Sequence, residues 1–306
     1  MPDREWVVRD GDGATVDAIV ARVGEDARAV DEGRVFVGKR RAKRGDPVRA
    51  GETVRVAARR EVDASVTVLH RGAGLVAVDK PAGIPTIPDE HDAEGSLLVR
   101  TARLLGVAPD SLHATSRLDR NVSGVVVFAT TERARSELQN ARKSERHFRR
   151  YAAIAERAPS PAEGEWGEPI GRARDPKKRM IRGRDATTAL TRYRVVGSAP
   201  RGAVLAVEPV TGRTHQIRVH ASHAGSPLLG DRDYGGARTL VLSSGKVLAL
   251  DRIALHCAHV RVEGLLDVRA PIPETLRGWW TAIAQVKVRE ALEPEPPPEQ
   301  GAAVAL

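Results

Sequence analysis

The chain has 306 residues, 41% of them hydrophobic and 29% charged, which excludes a wholly disordered protein and gives enough material for two folded units. Its formal net charge of +9 favours a polyanionic partner such as nucleic acid. Cys257 is the single cysteine, which excludes an intrachain disulfide, and no apolar run resembles a secretion signal or a membrane span, so we expect a cytoplasmic protein without a membrane partner.

The first sixty residues predict a small unit of short helices and strands. Apolar residues over Val16–Val23 recur on one helical face, and a second helix is expected over 26–32. Strands are expected at Arg34–Val37 and Gly51–Val56. The order of these elements resembles the α-L RNA-binding fold found in a ribosomal small-subunit protein, and the resemblance implies an RNA-binding domain over residues 1–60.

A basic block lies within this unit. Between Arg34 and Arg60 the sequence holds ten cations against two acidic residues, Asp46 and Glu52. Such a block is suited to phosphate contacts, and the alternative is a solvated charged face. We assign RNA binding to Arg34, Lys39, Arg40, Arg41, Lys43 and Arg44.

A larger, sheet-rich domain is expected over residues 61–288. Its predicted strands are Val66–His70, Leu75–Asp79, Val125–Phe128, His147–Ala155, Thr188–Val196, Ala203–Val210 and Ala258–Val262. Helices are predicted over Thr131–Lys143 and Glu274–Val286. The fold class is therefore α+β with a mixed, largely antiparallel sheet. The tail over 289–306, rich in proline and glutamate, is expected to be disordered.

Two segments of this domain concentrate polar residues suited to catalysis. In Ser116–Gly124 a carboxylate, Asp119, lies between two arginines that favour its ionised form. Thr211–His220 alternates as a strand would, so Gln216, Arg218 and His220 are expected to share a face that meets Asp119. The alternative is a purely structural ion pair.

These segments closely resemble the RluA-type family of RNA pseudouridine synthases. That family has a His-Arg-Leu-Asp loop ending in Ser-Gly before a strand, and a Thr-Gly-Arg-x-His-Gln-Ile-Arg-x-His element that is unbroken here. Three further elements follow the family's order, namely Lys80–Gly83, Gly225–Tyr234 and Leu255–His256. The resemblance covers about Val66 to Pro273. It implies a pseudouridine synthase fold. It also implies an enzyme that isomerises specific uridines in RNA to pseudouridine without a metal or organic cofactor.

The resemblance also implies individual roles. Asp119 matches the catalytic aspartate, Arg218 its salt-bridge partner, and Tyr151 the aromatic residue that stacks on the target base. For Tyr151 the alternative is a core tyrosine in a strand. We assign substrate binding to Arg117, Arg213, His215, Gln216 and Leu255.

Three positions depart from the family pattern. Ser116 stands where the family has His, Val122 where it has Thr, and Cys257 where a small residue such as Ala is usual. The first two changes imply that hydrogen bonds in the Asp119 loop differ, which leaves room for an altered target or for lost activity. His215 and His220 are spaced as a pair of metal ligands could be. No suitably spaced third ligand accompanies them, so no metal site is expected.

The expected substrate is RNA, with ribosomal RNA preferred and transfer or messenger RNA as alternatives, bound by a monomer. One competing function is a catalytically silent, RNA-binding relative that acts in ribosome assembly. Another is a hydrolase that pairs Ser123 or Ser116 with His215, although the sequence lacks a nucleophile elbow. The sequence leaves open whether the aspartate attacks C1′ or abstracts a ribose proton.

Overall fold

The computed structural model describes residues 4–24, 28–31, 35–38, 40–56, 66–90, 92–144, 146–241 and 247–284. The chain divides into two compact units, residues 1–64 and residues 65–306, and each unit has a buried apolar cluster of its own. The predictions for Arg34, Lys39 and the tail 289–306 lie outside the described residues. None of the described helices is both long and apolar enough to cross a membrane.

The first unit is a four-stranded antiparallel sheet with two short helices. Its elements are β1 (Arg4–Val7), α1 (Val16–Arg22), α2 (Arg28–Asp31), β2 (Val35–Val37), β3 (Arg40–Arg41) and β4 (Thr53–Val56). The strands lie in the order β1-β4-β2-β3. The helix predicted from the apolar spacing is confirmed, since Val16, Ile19 and Val20 face the apolar cluster.

The second unit is built on a large sheet. Its strands are β5 (Thr67–Gly72), β6 (Leu75–Lys80), β7 (His113–Ala114), β8 (Ser123–Ala129), β9 (His147–Ala155), β10 (Glu163–Trp166), β11 (Ile170–Arg172), β12 (Arg179–Ile181), β13 (Arg184–Thr187), β14 (Thr191–Ala199), β15 (Gly202–Pro209), β16 (Thr239–Val241), β17 (Val247–Ala249), β18 (Leu255–Val262) and β19 (Leu266–Arg269). The strands predicted from Val66–His70 to Ala258–Val262 are present, apart from the one expected over Thr211–His220, and their ends shift by at most three residues.

The large sheet runs in the order β10-β14-β15-β9-β18-β8-β6-β5, with β7 beside β8 and β19 beside β18. The pairing of β8 with β18 is parallel, and the other described pairings in this sheet are antiparallel. The predicted α+β fold with a mixed, largely antiparallel sheet is therefore confirmed. The second unit also contains two smaller, separate sheets, the three-stranded β12-β11-β13 and the hairpin β16-β17.

Four helices complete the second unit, namely α3 (Leu97–Leu105), α4 (Glu132–Lys143), α5 (Gln216–His223) and α6 (Glu274–Ala284). Helix α4 confirms the helix predicted over Thr131–Lys143, and it is capped by Thr131 Oγ1, which accepts a hydrogen bond from the Ala134 N–H at 3.2 Å. Its apolar face buries Ala134, Leu138 and Ala141. The last predicted helix is present to Ala284, and its expected end at Val286 lies outside the described residues.

Gly124 marks the point where β8 and β18 come closest. Its φ of +115° lies in the region that favours glycine, and a Cβ there would lie 2.2 Å from the Cys257 carbonyl oxygen. No side chain can occupy that space. The glycine at the end of the Asp119 loop is thus required by the parallel pairing of β8 with β18, which places Cys257 opposite it.

Candidate active site

A pocket of about 590 Å³ lies in the second unit, a size suited to a nucleotide-sized ligand. The structure brings all eight predicted catalytic and substrate-binding residues to its lining: Arg117, Asp119, Tyr151, Arg213, His215, Gln216, Arg218 and Leu255. Tyr151, Gln216, Arg218 and Leu255 are buried, whereas Arg117 and Arg213 are exposed. The buried residues thus form the body of the pocket.

The loop that carries Asp119 joins β7 to β8 and is fixed by Lys80. The Lys80 side chain is fully buried. Its ammonium group donates to four backbone carbonyl oxygens, those of Pro81 (3.0 Å), Asp119 (3.2 Å), Arg120 (3.1 Å) and Val122 (2.7 Å). Burial, followed by repulsion from Arg252, lowers the pKa of Lys80 to about 7. This lysine belongs to a motif noted in the sequence, but sequence reasoning gave it no role.

The segment after Lys80 holds the same loop through its backbone. Thr86 Oγ1 accepts from the Leu118 N–H at 3.0 Å and donates to the Leu118 carbonyl at 2.8 Å. The Gly83 N–H donates to the Arg120 carbonyl at 2.7 Å. Because the residues on both sides of Asp119 are bonded in this way, the carboxylate is held in place before any ligand binds.

Lys80→Met tests this support, because methionine has a similar length and no donor. The variant is expected to lower the free energy of unfolding by about 3 kcal/mol, since the loop carbonyls lose their charged donor. Turnover should fall more than RNA affinity. Urea unfolding and single-turnover rates measure the two effects, with Lys143→Met on the exposed face of α4 as control. Wild-type stability and rate in Lys80→Met would show that the loop does not depend on this lysine.

The segment after His215 is helix α5, so the prediction of a strand is wrong. Gln216 and His220, one turn apart, both bond to Thr191 Oγ1 at 2.9 Å, whereas Arg218 lies on another side of the helix. The predicted common face of the three residues is therefore also wrong. The cause is burial on every side: residues 216–221 are all buried, so no polar face reveals the helical period.

Asp119 and Arg218 form the predicted ion pair, with Arg218 Nη1 donating to Asp119 Oδ2 at 2.9 Å. The Asp119 side chain keeps 29% of its surface exposed, against 5% for Arg218. Of the two arginines that flank Asp119 in the sequence, Arg120 pairs instead with Asp89 at 2.7 Å and Asp92 at 3.6 Å. The charge that faces Asp119 therefore comes from α5.

Arg218 is itself anchored by two further carboxylates. Asp231, fully buried, accepts from Nε and Nη2 of Arg218, both at 2.8 Å, and Asp233 accepts from Nη2 at 2.9 Å. The guanidinium carbon also lies 4.8 Å from the centre of the Tyr234 ring. Burial alone would lower the pKa of Arg218, but the hydrogen bonds and charges of Asp231 and Asp119 raise it. The guanidinium is thus fixed so that Nη1 points at Asp119.

His215 completes the surroundings of Asp119. Its Nε2 lies 3.8 Å from Asp119 Oδ1, and its Nδ1 lies 2.7 Å from the Tyr234 hydroxyl. Burial lowers the pKa of His215, so the ring is neutral near pH 7. The Tyr234 hydroxyl also accepts the Arg179 N–H at 2.9 Å. If that hydroxyl donates to Nδ1, the His215 proton is on Nε2 and faces the carboxylate.

Tyr151 lies in β9 between β15 and β18, with Val207 and Cys257 as its neighbours in register. Burial raises the pKa of Tyr151, so its hydroxyl remains protonated. Burial likewise raises the pKa of Cys257 to about 12, so the thiol is not a nucleophile. Tyr151 belongs to the main apolar cluster together with Leu255. Core packing and pocket lining therefore coincide at both residues.

Gln216 positions a loop instead of offering groups to a ligand. Its carbonyl oxygen accepts from Thr211 Oγ1 at 2.7 Å and from the Arg213 N–H at 2.9 Å. Its amide nitrogen donates to the Leu190 carbonyl and to Thr191 Oγ1, both at 2.9 Å. The side chain thus makes all four of its hydrogen bonds within the protein. The assignment of Gln216 to substrate binding is corrected to support of the loop.

The remaining predicted groups have separate environments. His220 Nε2 faces the Glu168 carbonyl at 2.9 Å, while His215 faces Tyr234, so the two histidines do not form a pair of ligands. Val122 packs in the main apolar cluster, which accommodates this departure from threonine. Ser123 Oγ is buried against His256 Nδ1 at 2.7 Å, and His215 is not its partner. The serine–histidine arrangement proposed for a hydrolase is therefore absent at Ser123.

In the first unit the predicted RNA-binding cations have more acidic neighbours than the sequence count indicates. Arg44 makes a bidentate pair with Asp31 at 2.9 and 2.7 Å, and Arg40 pairs with Asp46 at 2.6 Å. Asp31 comes from α2, outside the stretch in which the charges were counted. Arg40, Arg41, Lys43 and Arg44 are all exposed.

Comparisons with known proteins point to one family of proteins. A profile of the family described as RNA pseudouridylate synthase matches residues 74–223. The chain is 31% identical to ribosomal large subunit pseudouridine synthase D of Xanthomonas campestris pv. campestris over 94% of this chain and 95% of that protein. It is 32% identical to the uncharacterized RNA pseudouridine synthase YhcT of Bacillus subtilis over 69% and 70%, respectively.

A solved structure has the same fold. Human RNA pseudouridylate synthase domain containing 4 aligns with a TM-score of 0.54 at 25% sequence identity, over 69% of this chain and 90% of the human chain. The aligned share is consistent with the size of the second unit.

Proposed function

The chain belongs to the RluA-type family of RNA pseudouridine synthases, and from that premise we propose that Asp119 is the carboxylate that acts on the target uridine. The reaction breaks the bond between C1′ and N1, turns the uracil, and forms a bond between C1′ and C5. The C5 hydrogen leaves as a proton, and N1 gains one. One carboxylate that is ionised and fixed in place suffices either to attack C1′ or to abstract a ribose proton.

The arrangement of Asp119 carries this proposal. Oδ2 is bonded to Arg218 at 2.9 Å, whereas Oδ1 has His215 as its neighbour at 3.8 Å. Oδ1 is therefore the oxygen that remains for the sugar. Because Arg218 is anchored by the buried Asp231, the pair does not have to reorganise when the substrate arrives.

A uridine must leave its helix or loop to reach Asp119. Unstacking costs a few kcal/mol, which stacking on an aromatic side chain and contacts to phosphates offset. Tyr151, in the body of the pocket, supplies the aromatic surface, and Leu255 supplies an apolar contact. Arg117, exposed at the same pocket, is suited to occupy the vacated stack or to bind phosphate.

Release of tritium from RNA labelled at C5 of uridine tests the activity, because only formation of the new bond at C5 expels that hydrogen. The protein is purified from cells that lack the host's own synthases. Wild-type protein is expected to release tritium and to yield a nucleoside of unchanged mass. Binding without release would instead identify a silent RNA-binding relative, and cleaved RNA a hydrolase.

We propose ribosomal RNA as the substrate and a monomer in the cytoplasm as the active form. The support for the substrate is the relative named ribosomal large subunit pseudouridine synthase D, which matches 94% of this chain, including the first unit. Carbodiimide-dependent stops of reverse transcription, compared with and without the gene, identify the modified uridine. Stops that change only in transfer or messenger RNA would reject the ribosomal assignment.

The first unit is proposed to bind RNA phosphates through its exposed cations. Replacing Arg40, Arg41 and Lys43 by Gln in the full chain is expected to flatten the slope of log affinity against log salt by about 0.7 for each lost contact to a single strand. The rate at saturating enzyme should stay near wild type. Gln at Arg103, Arg133 and Arg135 of the second unit, the first two exposed and the third half-buried, is the matched control. An unchanged slope would identify the basic block as a solvated face.

A further inference from the structure

Two arginines with no role so far converge on one wall of the pocket. Arg142, near the end of α4, and Arg149, in β9, both line it. A Cβ built on Gly212 would lie 3.1 Å from Arg142 Nη2 and 3.6 Å from Arg149 Nη2, so the two guanidinium groups reach the same point. Among the residues that the structure describes, no carboxylate forms an ion pair with Arg142 or Arg149. This differs from Arg40, Arg44, Arg120 and Arg218, each of which has an acidic partner.

Each guanidinium is fixed on one side by backbone. Arg142 Nη1 donates to the Thr115 carbonyl. Arg149 Nη2 donates to the Thr211 carbonyl at 2.9 Å and to the Pro209 carbonyl at 3.3 Å. These bonds leave Arg142 Nη2 and Arg149 Nη1 as the donors nearest the point beside Gly212, at 3.1 and 3.8 Å. The buried Nε of Arg149 also lacks a partner among the residues that the structure describes.

The pair carries a local excess of positive charge. Arg142 is exposed, but partial burial lowers its pKa, and repulsion from Arg149 lowers it further. The neighbouring His147 adds no charge, because burial and the same two arginines lower its pKa to about 3. Two cations this close, with no carboxylate paired to either among the described residues, repel each other, and a bound anion would relieve that repulsion.

The position of the pair relative to Tyr151 identifies the anion. Arg149 and Tyr151 are two residues apart in β9, so their side chains leave the same face of the sheet. Thr115, which Arg142 holds, begins the loop of Asp119. A uridine whose base lies against Tyr151 and whose ribose meets Asp119 brings its own phosphodiester groups to this wall. The bidentate geometry of guanidinium suits a phosphate oxygen pair.

We propose that Arg142 and Arg149 together bind a single phosphodiester group of the RNA strand next to the flipped uridine. The proposal rests on the proposed function, because it assumes that a uridine of RNA enters this pocket. The two arginines thereby join the eight predicted residues as substrate-binding groups. Their contact to phosphate carries no base specificity.

Binding across a salt series tests the proposal. The probe is ribosomal RNA from cells that lack the gene, bound by full chains that also carry Asp119→Asn so that no turnover occurs. The test variant is Arg142→Gln with Arg149→Gln. A second variant carries Lys at both positions, which keeps the charges but alters the backbone bonds. Gln at Arg133, exposed on α4, and at the half-buried Arg135 on the same helix removes two charges away from the pocket.

The Gln pair is expected to weaken binding by about tenfold or more at low salt and to flatten the slope of log affinity against log salt by about 0.7, the value for one phosphate of a single strand. The Lys pair and the α4 control should keep the wild-type slope. A slope change twice as large would mean two separate phosphates and would overturn the shared site. If the Lys pair lost as much RNA affinity as the Gln pair, or if the Gln pair lost none, the phosphate site would be rejected. The two arginines would then only support the two loops.

Tritium release by the wild-type chain, which carries neither Asp119→Asn nor any change at the arginines, is measured in parallel. If that chain binds RNA but releases no tritium, the proposed function fails, whereas the salt slopes still decide the phosphate site. If it releases tritium and the Gln pair keeps its slope, only the phosphate site fails.

Discussion

Replacing Asp119 by Asn is expected to reduce pseudouridine formation by about 10⁴-fold or more, the scale of loss that follows removal of a reacting group from an enzyme. Asparagine has the same shape but can neither attack C1′ nor accept a ribose proton effectively. Its oxygen can still accept the hydrogen bond from Arg218, so the loop should keep its structure. RNA affinity should stay within a few fold of wild type.

Single-turnover tritium release and filter binding measure the two quantities on the same preparation. Asp110→Asn, at an exposed turn away from the pocket, removes the same charge and should leave both unchanged. Appreciable pseudouridine formed by Asp119→Asn protein, prepared from cells without other synthases, would show that Asp119 is not the reacting carboxylate. Loss of binding together with turnover would instead point to a role in holding RNA.

The sheet could be predicted because its strands are continuous in sequence and carry their own signals. In β8 every residue is buried, and the apolar run Val125–Phe128 marks it. Strand β9 was placed from His147 to Ala155 without error. Strands β10, β12 and β13 are not predicted because none of their residues is buried, which leaves no apolar alternation to read.

Helices were missed for two different reasons. Helix α3 has a capping residue at each end. Ser96 accepts a hydrogen bond from the Val99 N–H, and Gly106 ends the helix at a φ of 69°. Both residues are visible in the sequence as helix-end signals. Helix α5 had no such signal. It begins after His215, whose φ of 58° is rare for a residue with a side chain, and it is buried on all sides.

The residues of the site were found because their motifs are local, whereas the contacts that fix them join distant parts of the chain. Lys80 reaches carbonyls some forty residues later, and Asp231 reaches Arg218 from the following loop. The segments Lys80–Gly83 and Gly225–Tyr234 were noticed as motifs, but only the folded chain gives them a role. Arg142 and Arg149 belong to no quoted motif, and their convergence on Gly212 is visible only in three dimensions.

Replacing Arg218 by Ala is expected to lower the free energy of unfolding by about 3–5 kcal/mol, because the buried Asp231 would lose its bidentate partner. The same change leaves Asp119 without its cation beside the further negative charge of Asp233. Turnover should therefore fall even in the fraction of protein that stays folded. These two effects must be separated, since a poorly folded enzyme is also inactive.

The double variant Arg218→Ala with Asp231→Ala separates them. Removing both partners leaves no uncompensated buried charge at position 231, so part of the lost stability should return, while turnover should not. Urea unfolding of wild type, both single variants and the double variant gives the coupling energy, and single-turnover rates on the folded proteins give the catalytic loss. If the double variant regained both stability and near-normal turnover, Arg218 would be a structural residue and Asp119 would act without a cationic partner. Recovery of stability alone would assign to Arg218 the role of aiming the carboxylate of Asp119 at the substrate.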